Sequence, residues 1–354
     1  MGNTAYSNMK VLYHTEKIED LKNNKRTAPV YIRIKPTNVC NQSCYYCVYA
    51  DNQVFENRKL DKRMSIPWEK MEEIISDISD MGVKAVTFSG GGDPLCYHSI
   101  IPALQMVKDA SMDYSIITNG QELRGEKATC LADAKWIRIS MDAADAATYE
   151  KIRHVKTYNQ VIDNIADFAR IKSAECTLGI NFVVTQDNYS KIYEFCDMMK
   201  KIGVNNIKFS PLMVKEDIPT YHKAIQKEVE KQLAMAKQKL NTDTFSIVDK
   251  YSDDMMLDSD FEKQYCTCYM KEIFTVIAAD QKVYFCHQRA YRPDGIIGDI
   301  SNKSFKDMWF SDETTKRFKE MNAKNECDFR CAFDERNILL NDLLNLDRNH
   351  INFI

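Results

Sequence analysis

The run Val30-Tyr-Ile-Arg-Ile34, followed shortly by Cys40-Asn-Gln-Ser-Cys44-Tyr-Tyr-Cys47, is the most informative stretch of the chain. It places three cysteines at C-x3-C-x2-C spacing directly after an apolar, strand-like segment. Three thiolates on one tight loop suit three corners of a [4Fe–4S] cube, because soft sulfur ligands favour iron–sulfur clusters. The fourth iron then has no protein ligand and is open to chelation by a small molecule. A structural zinc site and three unrelated thiols are the alternatives. Zinc would want a fourth Cys or His close by, usually in C-x2-C pairs, and none follows here.

The rest of the composition is ordinary for a globular protein. The chain has 354 residues, 44% of them hydrophobic and 28% charged, which is enough for one large domain and a smaller appendage. A net charge of -3 gives no electrostatic case for a nucleic-acid partner. No stretch approaches the eighteen consecutive apolar residues of a membrane span. The start, Met1-Gly-Asn-Thr-Ala-Tyr-Ser-Asn8, lacks a basic segment followed by an apolar one, so a cytoplasmic location is expected. Twelve cysteines in such a chain are better explained by metal ligation than by disulfides. They fall into Cys40, Cys44 and Cys47, a second group of Cys266, Cys268, Cys286, Cys327 and Cys331, and four scattered thiols.

Between about residues 30 and 212, short β-rich runs alternate with segments of helical period. The expected strands are Tyr31–Lys35, Ala85–Ser89, Tyr114–Thr118, Trp136–Met141, Gly179–Thr185 and Ile207–Pro211. Amphipathic stretches such as Trp68–Met81, Val161–Lys172 and Ile192–Lys201 lie between them. Six strand–helix units predict a parallel sheet curled into a partial (β/α)6 TIM-like barrel, with its site at the C-terminal strand ends. A polar helix over roughly Glu216–Lys239 leads to a smaller α+β region. There, a hairpin is expected between Phe274-Thr-Val-Ile-Ala278 and Lys282-Val-Tyr-Phe-Cys286. The division is residues 1–29 as an extension, 30–240 as the barrel and 241–354 as the appendage.

Polar residues gather at the expected strand ends. Ser89-Gly-Gly-Gly-Asp-Pro94 closes the second strand; its glycines allow close backbone approach and its carboxylate can accept from an ammonium. The third strand ends Thr118-Asn119-Gly120, the fourth contains Arg138-Ile-Ser140-Met-Asp142, and Arg153 follows in Tyr149-Glu-Lys-Ile-Arg153. With Tyr46 beside the last cysteine of the first loop, this set resembles the radical S-adenosylmethionine (SAM) superfamily. The resemblance implies that Cys40, Cys44 and Cys47 hold a [4Fe–4S] cluster and that Gly91, Gly92 and Asp93 grip the SAM amine. Asp93 stands where the family commonly has Glu. It further implies Ser140 and Asp142 on the ribose, Arg153 on the methionine carboxylate, Tyr46 on the adenine and Asn119 as a polar contact. Strand-end caps and surface ion pairs are the plainer alternatives for each. The chemistry implied is reductive cleavage of SAM to a 5′-deoxyadenosyl radical, which takes hydrogen from an unactivated C–H bond.

Four further thiolates, Cys268, Cys286 and the C-x3-C pair Cys327 and Cys331, would fully ligate a second [4Fe–4S] cluster. Zinc is the alternative there, and Cys266 competes with Cys268 as ligand. This region resembles the auxiliary-cluster domain called SPASM, in its shortened Twitch form, which implies an electron-transfer role and a low-potential donor such as flavodoxin or ferredoxin. Substrate is less constrained. A sugar, aminocyclitol or nucleotide-sugar, modified by oxidation, epimerisation or dehydration, competes with a peptide maturase. Only 29 residues precede the first strand and a single auxiliary cluster is expected, which together favour a small molecule; the end, His350-Ile-Asn-Phe-Ile354, lacks the di-glycine tail of the molybdenum-cofactor cyclase of the same superfamily. An epimerase needs a hydrogen-atom donor, for which Cys96 is the candidate, with a buried structural thiol as the plainer role. A non-catalytic iron–sulfur or zinc protein explains the cysteines but not the glycine loop and polar strand ends together.

Overall fold

In a computed structural model, the protein is described at residues 7–49, 58–214, 218–255, 262–327, 330–347, 349 and 351–352. Several residues quoted above therefore lie outside the described residues: Met1–Tyr6, Glu216, His350, Phe353 and Ile354.

Six parallel strands run in the expected order: β1 Tyr31–Ile34, β2 Ala85–Phe88, β3 Asp113–Thr118, β4 Trp136–Ser140, β5 Thr177–Val184 and β6 Asn206–Pro211. Each pairs with the next. The sheet order adds two features. A short strand β7, Ser246–Asp249, pairs in parallel with β6, so the barrel sheet runs past the boundary expected at residue 240. The hairpin strands β8 Phe274–Ile277 and β9 Lys282–Tyr284, with β10 Ile296–Asp299, join the same sheet, because β8 pairs in parallel with β1. One ten-stranded sheet, in the order β10-β9-β8-β1-β2-β3-β4-β5-β6-β7, thus carries both cysteine groups. The appendage is fused to the barrel edge.

Alternation along the strands decides which side faces the helices. Ile32, Ile34, Val86, Phe88, Ile137 and Ile139 point one way and are buried. They meet α2 Trp68–Asp80, α3 Ile100–Asp109, α6 Tyr158–Ile171 and α7 Ile192–Ile202, which follow α1 Thr15–Lys22 near the N-terminus. Each such side chain stabilises the fold by roughly 1.5–3 kcal/mol. The helices present matching stripes: Val161, Ile165 and Phe168 on α6 recur at i, i+4 and i+7. Gly203, at φ +103°, ends α7 in the left-handed conformation and bonds Met199 and Lys200 carbonyls.

The register carries the opposite parity, Tyr31, Arg33, Thr87, Ser115, Arg138, Ser140, Asn181 and Lys208, onto the interior face. This face is polar. Tyr31 donates to Thr87 at 2.7 Å, and the Thr87 and Ser115 hydroxyls are 2.6 Å apart.

Two short helices complete the connections, α4 Gly125–Leu131 and α5 Ala146–Arg153. The expected single polar helix near residues 216–239 is divided into α8 Ile218–His222 and α9 Gln226–Leu240. Among the described residues, no helix is long and apolar enough to cross a membrane.

Candidate active site and auxiliary cysteine cavity

The first cysteine loop is held at the C-terminal strand ends by backbone bonds on two sides. On one side it meets α5. Asp145 caps that helix by accepting from the Thr148 N–H at 2.9 Å, and His154 ends it at φ +56°. The last carbonyls of α5 then accept from the loop: Ser43 N–H to Arg153 O and Tyr45 N–H to Ile152 O, both at 3.2 Å. Gln42 adds a buried bond to the Tyr149 hydroxyl at 2.7 Å.

On the other side lies the glycine loop. Gly92 N–H donates to Thr37 O at 3.1 Å and Asp93 N–H to Val39 O at 2.9 Å. A Cβ on Gly92 would come within 2.1 Å of Val39 O, and one on Gly91 within 2.3 Å of Asn38 Oδ1. These glycines are needed for close approach to the cysteine loop itself, where the sequence suggested approach to a ligand.

Asp93 is likewise committed within the fold. Its carboxylate is buried and accepts from Leu95 N–H, from the Thr118 hydroxyl through both oxygens and from Asn119 N–H, at 2.6 to 3.0 Å. The side chain expected on the SAM amine thus ties the glycine loop to the end of β3. Burial still pushes its carboxyl above the usual range, against those donors.

Asp142 and Arg153, expected on ribose and methionine carboxylate, hold each other. Arg153 donates to Asp142 Oδ1 through Nε at 3.0 Å and Nη2 at 2.8 Å, and both residues are buried. The Tyr46 hydroxyl bonds the second oxygen of Asp142, and the Arg153 guanidinium lies 5.6 Å from the Tyr46 ring centre. Arg153 Nη1 also sits 3.4 Å from Cys44 Sγ. The carboxylate of Asp142 is fully enclosed, so its observed partners are protein groups. Asn119 bonds Asn41 Oδ1 at 2.7 Å and lies 3.9 Å from Cys40 Sγ. Ser140 is half-buried on the interior face, opposite Asn181 in register.

Burial pushes the Cys40 thiol up to about 12 and raises Cys44, which the Arg153 guanidinium partly offsets. Metal loading at such thiols must expel their protons. Burial takes Cys96 up to about 11. Cys96 ends a short turn that follows Asp93, and its N–H donates to Asp93 O at 2.9 Å.

The second group closes a cavity. Cys268, Cys286, Cys327 and Cys331 line it together with Tyr265, Phe285, Arg289 and Phe333. Cys266 is exposed and outside that lining, which separates it from Cys268. Asn337 donates to Cys268 Sγ at 3.6 Å and Phe333 N–H to Cys331 Sγ at 3.4 Å, while Arg289 spans Asp294 and Glu326 at 3.1 Å each. Donors directed at sulfur and an apolar rim fit an iron–sulfur cluster. Among the described residues, no three His, Cys, Asp or Glu side chains sit at the spacing of a single ion; the thiols surround a space.

Residues 34–198 match the family described as the radical SAM superfamily, and residues 266–332 match an iron–sulfur cluster-binding domain, SPASM. The chain carries a radical SAM domain and a SPASM domain. These two domains imply [4Fe–4S] clusters and SAM as cofactors. This radical SAM chain is 29% identical over 190 residues to a GTP 3′,8-cyclase of Limosilactobacillus fermentum, covering 51% of the chain and 54% of that protein. A GTP 3′,8-cyclase of Alkaliphilus oremlandii is 28% identical over 187 residues, covering 51% and 57%. The chain spans about half the length of the curated relatives it matches.

The fold is that of Streptococcus suis SuiB, solved bound to the precursor peptide SuiA, with a TM-score of 0.63 at 18% identity over 87% of this chain and 70% of SuiB. It is also that of anSMEcpe, solved with bound AdoMet, with a TM-score of 0.58 at 17% identity over 82% and 83%.

One group escaped the sequence reading. Arg58 Nη1 donates to Val48 O at 3.0 Å and Nη2 to Gln288 O at 2.9 Å. Its guanidinium joins the backbone beside Cys47 to the backbone beyond Cys286. Nothing in the local pattern around Arg58 marks it; its partners are set by the pairing of β8 with β1.

Proposed function

We propose that this radical SAM enzyme abstracts hydrogen from a C–H bond of a small polar molecule: a sugar, an aminocyclitol or a nucleotide-sugar. Cys40, Cys44 and Cys47 would hold the SAM cluster, and Cys268, Cys286, Cys327 and Cys331 the auxiliary one. When bound, cluster and SAM supply a 5′-deoxyadenosyl radical, given a low-potential electron donor of the flavodoxin or ferredoxin kind.

The observation that carries this reading is the position of the cysteine loop. It is fastened to α5 and to the glycine loop, over an interior face where hydroxyls, amides and cations outnumber the apolar side chains of Ile117, Trp136 and Val183. Such a face rewards a substrate rich in hydrogen-bonding groups. The names of the matched relatives, which specify GTP, support a small-molecule substrate. Arg153, Asp142 and Tyr46 would shape the SAM pocket from behind, by fixing Cys44 and the end of β4. Asp93 and Thr118 would do the same for Asn119, whose amide lies nearest Cys40. Ser140 is left with its side chain on the open interior face.

The test begins with iron and sulfide content of the anaerobically reconstituted chain, beside a variant with Cys40, Cys44 and Cys47 changed to Ala. About eight irons falling to about four supports one cluster at each group. Candidate sugars deuterated at successive carbons are then incubated with SAM and reductant. Deuterium in 5′-deoxyadenosine identifies the attacked carbon. Absence of SAM cleavage under reducing, oxygen-free conditions would overturn the proposal.

A further inference from the structure

A C-terminal helix, Asp334–Leu344, packs beside the auxiliary cavity and buries two residues one turn apart, Asn337 and Leu340. Leu340 does what an inward helical position ordinarily does: it joins an apolar cluster with Val11, Met270 and Ile273. Asn337 is equally enclosed but carries an amide. An amide buried there is costly unless both of its ends are bonded, so its partners show what the position requires.

Asn337 Oδ1 accepts from Met270 N–H at 3.0 Å. That bond fixes which way the amide points, because a reversed amide would set a donor against the Met270 donor. Nδ2 is thereby turned to the Tyr265 hydroxyl at 3.2 Å and to Cys268 Sγ at 3.6 Å. Tyr265 in turn donates to Asp334 Oδ1 at 2.5 Å, where Lys263 Nζ also bonds at 2.5 Å. Asp334 Oδ2 accepts from Cys331 N–H at 2.7 Å, and Phe333 N–H lies 3.4 Å from Cys331 Sγ. One turn of helix therefore holds the loops of two auxiliary thiols. Lys263 meets the charge of Asp334, and the group presented to Cys268 is a neutral donor. The donor on Cys331 is backbone, which any sequence supplies; the donor on Cys268 is a choice of side chain.

We propose that Asn337 is a positioning residue that, through Cys268, makes the auxiliary cluster easier to reduce. An electron added to a thiolate-ligated cluster increases the negative charge on its sulfurs. An N–H directed at one of them stabilises the reduced form more than the oxidised form and raises the potential. An asparagine that served only to accept from Met270 N–H would need no donor aimed at sulfur. The inference rests on Cys268, Cys286, Cys327 and Cys331 holding a cluster, as proposed above.

The test is a redox titration of the full, anaerobically reconstituted chain, followed by electron paramagnetic resonance. Cys40, Cys44 and Cys47 are changed to Ala in this parent, so that the auxiliary signal stands alone. Asn337→Leu fills a similar space with no donor, and Asn337→Asp keeps an acceptor for Met270 N–H while replacing the donor by oxygen. Each should lower the midpoint potential. At a fixed potential the reduced-to-oxidised ratio should fall about ten-fold, which is ~59 mV for one electron. Iron content of about four per chain reports that a variant has folded and loaded, and where one variant fails to load, the other decides. Loaded variants with the midpoint of the parent would overturn the inference and leave Asn337 a purely structural residue. A parent without auxiliary iron would overturn the cluster reading on which the inference rests.

Discussion

The guanidinium of Arg153 lies 2.8 Å from the carboxylate of Asp142, and both are closed off from solvent beside Cys44. Residues that the sequence placed on two ends of SAM are therefore one buried ion pair. Removing one partner of such a pair leaves an uncompensated charge and costs about 3–5 kcal/mol. Asp142→Ala should lower unfolding stability by that order, and Asp142→Ala with Arg153→Met should recover part of the loss. Urea denaturation of the four proteins in the cycle measures it; additive losses would show that the two groups do not couple.

Gly92→Ala should separate the two metal sites. Its Cβ would collide with backbone atoms of Val39 and Asn38, which cannot yield as a side-chain tip would. The cysteine loop loses its support on that side. Iron should fall from about eight to about four per chain, with the auxiliary set retained. Full iron content in this variant would show that the loop tolerates displacement.

Cys266 and Cys268 make a clean comparison. Cys268 lines the cavity with the other three thiols and accepts from Asn337, whereas Cys266 is exposed. Cys266→Ala should keep the auxiliary iron and Cys268→Ala should lose it. The reverse pattern would exchange the two assignments.

Cys96→Ala addresses hydrogen return. Cys96 N–H bonds Asp93 O at 2.9 Å in the turn after the glycine loop, and a structural thiol there predicts that iron content, SAM cleavage and substrate turnover all persist. Turnover lost with SAM cleavage intact would instead assign hydrogen-atom donation to Cys96.

Lys17 gives a pH signature far from the metal sites. Burial lowers its ammonium from 10.5 to about 8, although Thr27 O, the Thr27 hydroxyl and Ala28 O accept from it. The folded state therefore binds fewer protons than the unfolded one between those values, and stability from this group rises as pH climbs through that window. The melting temperature of wild type minus that of Lys17→Met should increase from pH 8 towards pH 10. A constant difference would show that Lys17 titrates normally.

Much of the architecture was legible before any coordinates. The six barrel strands fall within two residues of their expected bounds, because short β-branched runs between amphipathic helices leave few alternatives. The strand β7 escaped notice because Ser246–Asp249 is four residues long with one buried apolar side chain. Arg58 carries no local mark, since only the folded chain brings Val48 O and Gln288 O to its guanidinium.

The sequence by itself determined the cysteine spacing, the strand–helix alternation and the superfamily, all properties of residues near one another along the chain. Tertiary structure alone decided that Asp142 neutralises Arg153, that Asp93 binds Thr118, and that Arg58 bridges the two cysteine loops. Those partners lie 10 to 230 residues apart. Their choice depends on register, curl and burial, and a buried charge takes whichever counter-group the packed chain brings within reach.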